Sequence, residues 1–143
     1  LTGPYGEFYL REETNDPMVC VGGGSGSAPI RSIITYLSEK NSERKIMNFY
    51  GGRTPKDIYF TDYYKELGKK LPNLTHIPAI DSNEDDEPWD GEVGLITHAI
   101  ERNLTDVSNF EAYMCGPPAM LHFSKLLLSK LGIDENRVYF DEF

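Results

Sequence analysis

The chain has 143 residues, of which 39% are hydrophobic, and a formal net charge of -9 at pH 7. This length fits one ordinary domain and leaves no room for a second large one. The excess of acidic residues would repel the phosphates of nucleic acids and anionic membrane surfaces, so we expect neither as a partner. No apolar stretch approaches the roughly 20 residues of a membrane helix, and the chain does not open with a signal peptide. We therefore expect a cytoplasmic protein without direct membrane insertion.

The beginning of the chain differs from the rest. Residues 1–11 contain a Gly-Pro-Tyr-Gly turn and a short apolar piece, and residues 12–16 form a polar connector. We interpret residues 1–15 as the remnant and connector of a preceding domain, and residues 16–143 as the domain proper.

Apolar runs alternate with segments of helical spacing along the domain. The predicted strands span residues 17–21, 45–50, 74–80, 110–114 and 137–140. The predicted helices begin near Pro29 and span residues 62–71, 95–104 and 119–131. In the second helix, Tyr63, Leu67 and Leu71 are spaced to form one apolar face. This alternation predicts an α/β fold, with a doubly wound five-stranded parallel sheet and helices on both faces.

Two glycine-bearing turns each follow a predicted strand and open a predicted helix. The first runs from Gly22 to Pro29 and the second from Cys115 to Pro118. Glycines at such a position let backbone N–H groups approach a phosphate, and the helix N-terminus favours the same anion. Turns at the carboxyl ends of neighbouring parallel strands would face one crevice. A tight strand-to-helix connection gives the same glycine pattern, so the turns locate a site without identifying its ligand.

Cys115 sits at the predicted mouth of this crevice, and its residue type fits three roles. It could be a nucleophile, with His98 or His122 as the activating base. It could be a small buried thiol that fills space in the core. It could also pack against the ring of a ligand.

A polar stretch over residues 81–92 interrupts the alternation and partly matches a calcium-binding loop. The matching positions are Asp81, Asn83, Asp85 and Glu92. Asp86 stands where the sharp turn of such a loop requires glycine, and no helix pair flanks the segment. We favour a solvated loop with Trp89 packing back onto it. No His and carboxylate spacing indicates zinc, so we predict no metal site.

Six motifs occur in an order that is more specific than either turn alone. They are GPYGEF, VGGGSGSAPIRS, NFYGGRTPKDIYF, WDGEVGLI, YMCGPPAM and VYFDEF. In this order they resemble the nicotinamide-nucleotide half of the ferredoxin-NADP reductase superfamily, over nearly the whole chain. Within the superfamily, the chain most resembles the NADH-binding subunit of sodium-translocating NADH:quinone reductases, followed by reductase components of phenol, toluene and methane hydroxylases. The resemblance implies the strand order 3-2-1-4-5, counted over the five predicted strands.

The resemblance also implies roles for individual residues. Those implied to meet the pyrophosphate and nicotinamide are Gly23, Gly24, Ser25, Gly26, Ala28 and Pro29. Those implied near the adenosine end are Gly51, Gly52 and Arg53. Those implied beside the nicotinamide are Cys115, Gly116, Pro117 and Met120, and Phe143 is implied to face the flavin. Ser25, Cys115 and Phe143 are thus the predicted catalytic residues, and packing against the nicotinamide becomes the favoured role of Cys115.

The chain departs from the superfamily in one respect. The flavin-binding signature, an arginine followed two residues later by tyrosine and then serine or threonine, is absent, and so is the barrel that carries it. GPYGEF resembles the end of that barrel. The resemblance therefore implies that FAD is held by a separate domain of the same natural chain. An iron-sulfur cluster would also lie elsewhere, because two cysteines cannot supply four ligands.

The residues after the third predicted strand favour NADH over NADPH. NADP-dependent relatives carry a serine-arginine pair there, whereas this chain has Ala79-Ile80-Asp81-Ser82. Asp81 would repel the additional phosphate of NADPH, although Arg53 or Lys56 could approach the same end.

Three functions follow as hypotheses. In the first, the chain positions NADH for hydride transfer to FAD, and electrons pass on to an iron-sulfur centre and quinone, or to a hydroxylase. Other subunits of a complex at the cytoplasmic face of the inner membrane would then be partners. In the second, the chain is a nucleotide-binding module without catalysis. The third, a flavodoxin-like FMN carrier, is disfavoured because the chain lacks a hydroxyl-rich phosphate loop.

Overall fold

The computed structural model describes residues 9–23, 27–58 and 60–142. The strands are β1 (Met18–Gly23), β2 (Ile46–Gly52), β3 (Leu74–Ile80), β4 (Glu92–Val93), β5 (Glu111–Gly116) and β6 (Val138–Glu142). The helices are α1 (Ser27–Glu39), α2 (Thr61–Gly68), α3 (Ile96–Asn103) and α4 (Pro118–Lys130). The predicted site residues Gly24, Ser25, Gly26 and Phe143 lie outside the described residues.

The six strands form one parallel sheet in the order β4-β3-β2-β1-β5-β6. The predicted α/β class is therefore confirmed, but the predicted number of five strands is wrong. The five predicted strands stand in the expected order, and β4 is an additional strand that pairs with β3 at the edge of the sheet. Because β4 has only two residues, it is too short to show the apolar period from which strands are predicted.

Helices cover both faces of the sheet. On one face, α1 and α2 bury a cluster that includes Ile34, Leu67 and Tyr113. On the other, α3 and α4 bury a cluster that includes Ile100 and Leu128. Successive strand residues alternate between the two clusters, as the period of a strand requires. No helix in the described ranges has the length and apolar character needed to cross a membrane.

The glycine pairs belong to the ends of strands and not to the following turns. β1 continues through Gly22 and Gly23, and β2 through Gly51 and Gly52. β5 likewise runs on through Cys115 to Gly116. The strands are thus longer than predicted, and backbone without side chains reaches the carboxyl edge of the sheet.

The apolar face of α2 differs from the predicted one. Tyr64 and Leu67, spaced by three residues, are buried, whereas Tyr63 is 37% exposed. The hydroxyl of Tyr63 lies 2.6 Å from the Thr35 hydroxyl on α1. Leu71 is buried as predicted, but it follows the end of the helix at Gly68.

Candidate functional site

A cleft of about 1270 Å³ opens at the carboxyl edge of the sheet. Three glycines at strand ends line it: Gly23 ends β1, Gly51 is the penultimate residue of β2, and Gly116 ends β5. This is the edge at which ligands bind in open parallel sheets. The predicted site residues that line the cleft are Gly23, Ala28, Gly51, Gly52, Arg53, Asp81, Gly116, Pro117 and Met120. The structure thus brings together both predicted turns and the predicted adenosine end.

Met120 occupies the space that two of these glycines leave open. Its sulfur lies 2.9 Å from the position that a Cβ of Gly23 would take, and its methyl carbon lies 2.3 Å from that of Gly116. A side chain at either position would therefore collide with Met120. The glycines let this methionine of α4 lie across the ends of β1 and β5, where it forms part of the cleft wall.

Cys115 does not line the cleft. Its side chain is fully buried in the cluster beneath α1, on the opposite face of the sheet from α3 and α4, which carry His98 and His122. Burial, together with the charge of neighbouring Asp141, raises the pKa of the Cys115 thiol to about 12. This placement does not support the alternative that Cys115 is a nucleophile activated by either histidine.

The predicted adenosine end is formed by the segments that follow β2 and β3. The amide of Asp81 donates to the carbonyl of Gly52 at 3.1 Å, and the amide of Ser82 donates to the carbonyl of Arg53 at 3.1 Å. These bonds hold Asp81 close to Gly52 and Arg53. Pro29, predicted at the pyrophosphate, is half-buried in the first turn of α1 and does not contribute to the wall.

Arg31 and Phe60 also line the cleft, and sequence reasoning missed both. The guanidinium carbon of Arg31 lies 3.9 Å above the centre of the Phe60 ring. Phe60 precedes α2 with a φ of 68°, a left-handed conformation that is uncommon for a bulky residue. Arg31 had a signal in the sequence, since it lies three residues after Ala28 on the same helical face. Phe60 had none, because only the tertiary fold brings it to Arg31 of α1.

The N-termini of α3 and α4 also open onto the cleft. No side chain caps either helix, since Leu95 and Pro117 stand at the capping positions. The free N–H groups and the helix dipoles make both ends attractive to anionic or polar groups. The charged residues lining the cleft are Arg31, Arg53, Asp57, Asp81 and Glu101. The wall thus combines positive backbone ends with side chains of both signs.

The polar stretch after β3 is organised by its own hydrogen bonds. The Asn83 side chain accepts from the amide of Glu87 at 3.0 Å and donates to its carbonyl at 2.8 Å. The indole of Trp89 donates to the carbonyl of Glu92 at 3.1 Å, so the ring folds back onto the loop. In the described part of the chain, no group of three or more His, Cys, Asp or Glu side chains could hold a metal ion.

The chain matches the model of the oxidoreductase NAD-binding domain over residues 20–125. This range holds most of the cleft, from the middle of β1 to the middle of α4. The chain belongs to this NAD-binding family. The predicted resemblance to the ferredoxin-NADP reductase superfamily is thereby confirmed.

Individual relatives of this NAD-binding domain include two kinds of reductase. The chain is 36% identical over 146 residues to the reductase component of propane 2-monooxygenase from Rhodococcus jostii, matching 100% of this chain and 40% of the relative. It is 35% identical over 150 residues to a subunit of the Na(+)-translocating NADH-quinone reductase of Neisseria meningitidis, matching 100% of this chain and 36% of the relative. The chain thus spans less than half of these relatives.

A solved structure with the same fold is the Amycolatopsis cytochrome P450 reductase GcoB. The TM-score is 0.88 at 24% identity, and the match covers 99% of this chain and 42% of that one. At this identity the likeness establishes the fold alone.

Proposed function

We propose that this NAD-binding domain holds NADH and positions its nicotinamide for hydride transfer to FAD on a separate domain of the same natural chain. The observation that carries the proposal is the meeting of Gly23, Gly116 and Met120 at one end of a cleft whose other end is bounded by Gly52 and Asp81. A cleft whose lining differs between the ends of β1 and β5 and the ends of β2 and β3 fits a dinucleotide, whose two halves differ in chemistry.

The residues of the cleft suit the three parts of NADH. Gly23 and Ala28, on either side of the first turn, would hold the pyrophosphate near the N-terminus of α1. Gly52 and Arg53 would hold the adenosine. Pro117 of the second turn and Met120 of α4 would give the nicotinamide an apolar wall.

NADH when bound supplies a hydride, and the protein contributes orientation and electrostatics. In this proposal, Met120 limits where the nicotinamide ring can lie, and the buried Cys115 supports the end of β5 from behind. Ser25 and Phe143, the other two residues predicted to be catalytic, keep their proposed places beside the nicotinamide and the flavin.

The names of the relatives support two routes for the electrons. One relative is a subunit of an NADH-quinone reductase, and the other is the reductase component of a monooxygenase. We propose transfer from FAD to an iron-sulfur centre in another domain and then to quinone, with other subunits of a membrane complex as partners. The domain would then work at the cytoplasmic face of the inner membrane. In the second candidate function, the same domain reduces a hydroxylase.

Titration calorimetry of the chain with NADH and with NADPH tests the binding step. We expect NADH to bind more tightly, because Asp81 lies at the adenosine end and would repel the additional phosphate. Tighter binding of NADPH would contradict the specificity, and binding of neither would contradict the site.

The catalytic step is tested in a chain extended with its flavin-binding domain. NADH should then be oxidised with ferricyanide as the artificial electron acceptor, and bound flavin should bleach when NADH is added without oxygen. A chain that binds NADH but leaves the flavin oxidised would be a nucleotide-binding module without catalysis.

A further inference from the structure

A second polar centre lies far from the cleft, at the amino end of β5. Arg44 and Glu111 form an ion pair of 2.6 Å, and their side chains are only 2% and 3% exposed. The hydroxyl of Tyr113 donates to Glu111 at 2.9 Å. Burial, reinforced by the charge of Glu111, raises the pKa of Tyr113, so this hydroxyl stays protonated.

Most partners of Arg44 belong to residues 9–16, which precede β1. This segment joins the polar residues 12–16 to Tyr9, Leu10 and Arg11, and from here on the whole of it is called the connector. Its Nε donates to the carbonyl of Asp16 at 2.5 Å, and one Nη donates to the carbonyl of Arg11 at 3.0 Å. The other Nη contacts the hydroxyl of Thr14 at 3.2 Å as well as Glu111. One buried guanidinium therefore ties three points of the connector to the core.

Glu111 and Tyr113 add further bonds to the same connector. Thr14 donates to the second carboxylate oxygen of Glu111 at 2.7 Å. The amide of Arg11 donates to the hydroxyl of Tyr113 at 3.0 Å. Asp16 is also paired with Arg137, next to β6.

Stacking of the Arg11 guanidinium on two tyrosine rings extends the contact between the connector and the sheet as far as β6. The guanidinium carbon of Arg11 lies 3.7 Å from the centre of the Tyr9 ring and 3.8 Å from that of Tyr139. Leu10 packs against the apolar cluster beneath α1. The connector thus covers a part of the sheet beside β5 and β6.

The hydrogen bonds hold Arg11 and Thr14 at the same buried centre. The amide of Arg11 donates to the Tyr113 hydroxyl, which itself donates to Glu111, and the carbonyl of Arg11 accepts from the guanidinium that pairs with Glu111. The connector from Arg11 to Asp16 is therefore fixed at one place beside β5.

We propose that Arg44, Glu111 and Tyr113 act as an anchor that fixes the connector in one position and so sets where the preceding domain stands relative to the cleft. A buried ion pair seldom stabilises a fold more than apolar residues of the same size would, so stability alone does not account for it. Apolar residues could not form the hydrogen bonds by which Arg44 holds two carbonyl groups and one hydroxyl group of the connector at defined points. The three residues are positioning residues, and the idea that they orient a flavin-binding domain rests on the proposed function.

The anchor is first tested in the chain itself, without NADH or flavin. The double variant Arg44→Met/Glu111→Leu removes both buried charges together and leaves neither one unpaired. We expect amide hydrogen exchange in residues 9–16 to accelerate by about tenfold or more, while β1, β2 and β3 keep their protection. The control is Lys69→Gln/Glu66→Gln, which removes an exposed ion pair at the end of α2 and should leave connector exchange unchanged. Unchanged connector exchange in the first variant would overturn the anchor.

Tyr113→Phe provides a milder second variant if the double variant does not fold. It removes one hydroxyl and keeps the ring, so acceleration should centre on the amide of Arg11. Exchange at Arg11 equal to that of the unmodified chain would overturn the anchor on its own.

The positioning role is tested in the chain extended with its flavin-binding domain. In this extended chain, Arg44→Met/Glu111→Leu should slow the reduction of flavin by NADH, measured by stopped flow, by about tenfold or more relative to the unmodified protein. The reason is that small misplacements of reacting groups cost large factors in rate. The Kd of NADH should stay unchanged, because the cleft lies at the other edge of the sheet. Faster connector exchange with an unchanged reduction rate would overturn the positioning role. An extended chain in which NADH never reduces flavin would instead contradict the proposed function and leave the exchange result standing.

Discussion

The sulfur of Met120 lies 2.9 Å from the point where a Cβ of Gly23 would stand, so a helix residue fills the space left by a strand glycine. Gly116 on the neighbouring strand leaves space for the methyl end of the same side chain. The two glycines therefore have a packing role in addition to any approach of a ligand to the backbone.

Replacing Gly116 by alanine tests this contact. The added methyl group would overlap the Met120 methyl carbon, and overpacking of this kind costs about 1–3 kcal/mol in the free energy of unfolding. In a Met120→Ala background the same substitution should cost less, because the colliding group is gone and only the strain of an alanine at the φ of 159° remains. Urea unfolding of the four chains gives both values. Equal costs in the two backgrounds would show that Met120 is not what Gly116 accommodates.

The buried ion pair predicts a large effect of a single substitution. Arg44→Met should lower the free energy of unfolding by about 3–5 kcal/mol, because buried Glu111 would lose its close ion pair and keep only Arg137, at 3.8 Å, as a cationic neighbour. Lys69→Met, at an exposed pair, should change it by less than about 1 kcal/mol. Urea denaturation at pH 7.5 measures both. Similar values for the two variants would mean that water reaches Glu111 once Arg44 is gone.

The sequence predicted those parts of the fold that depend on local pattern. The third predicted strand, residues 74–80, coincides with β3, because alternating apolar residues mark a strand regardless of its neighbours. The position of the two turns at strand ends predicts that they face one crevice, whereas the roles of Gly23, Gly116 and Met120 in it are implied by the family resemblance.

The remainder depends on contacts between distant parts of the chain. Arg44 and Glu111 are 67 residues apart, and nothing near either residue marks it as buried. Phe60 likewise reaches the cleft only because α2 packs beside α1. Such pairs follow from the tertiary fold, and a single sequence carries no periodic signal for them.

His76 predicts a dependence of stability on pH. Burial lowers its pKa from 6.5 to about 4, and its ring is stacked on Tyr64 at 4.3 Å between centroids. Because the unfolded chain binds this proton more readily, stability is lost as the pH falls from about 6.5 toward 4. The loss should reach about 2 kcal/mol at pH 5. Urea unfolding at pH 7.5 and at pH 5 gives the difference in the free energy of unfolding between the two conditions. His76→Gln should make this difference smaller by about the same 2 kcal/mol. An identical difference in the variant would assign the acid sensitivity to other groups.

Asp81 predicts the choice between nucleotides. Asp81→Asn removes the negative charge near Gly52 and Arg53, so the Kd of NADPH should fall by about threefold to tenfold. The Kd of NADH should change by less than about twofold, since it has no phosphate there. Asp86→Asn, in the same exposed loop but outside the cleft wall, serves as the control. Equal gains in NADPH affinity from both substitutions would indicate a general effect of net charge.

The two cysteines predict resistance to thiol reagents. Cys20 and Cys115 are fully buried, and burial raises the pKa of each thiol to about 12. At pH 8 only about one thiol in ten thousand would then be ionised, against roughly one in four for an exposed cysteine. A chromogenic disulfide reagent should therefore react with the folded chain only as it unfolds, and with both thiols at once in urea. Cys20→Ala and Cys115→Ala show which thiol accounts for any early reaction. Fast labelling of Cys115 that NADH suppresses would place this thiol at the cleft and contradict its burial beneath α1.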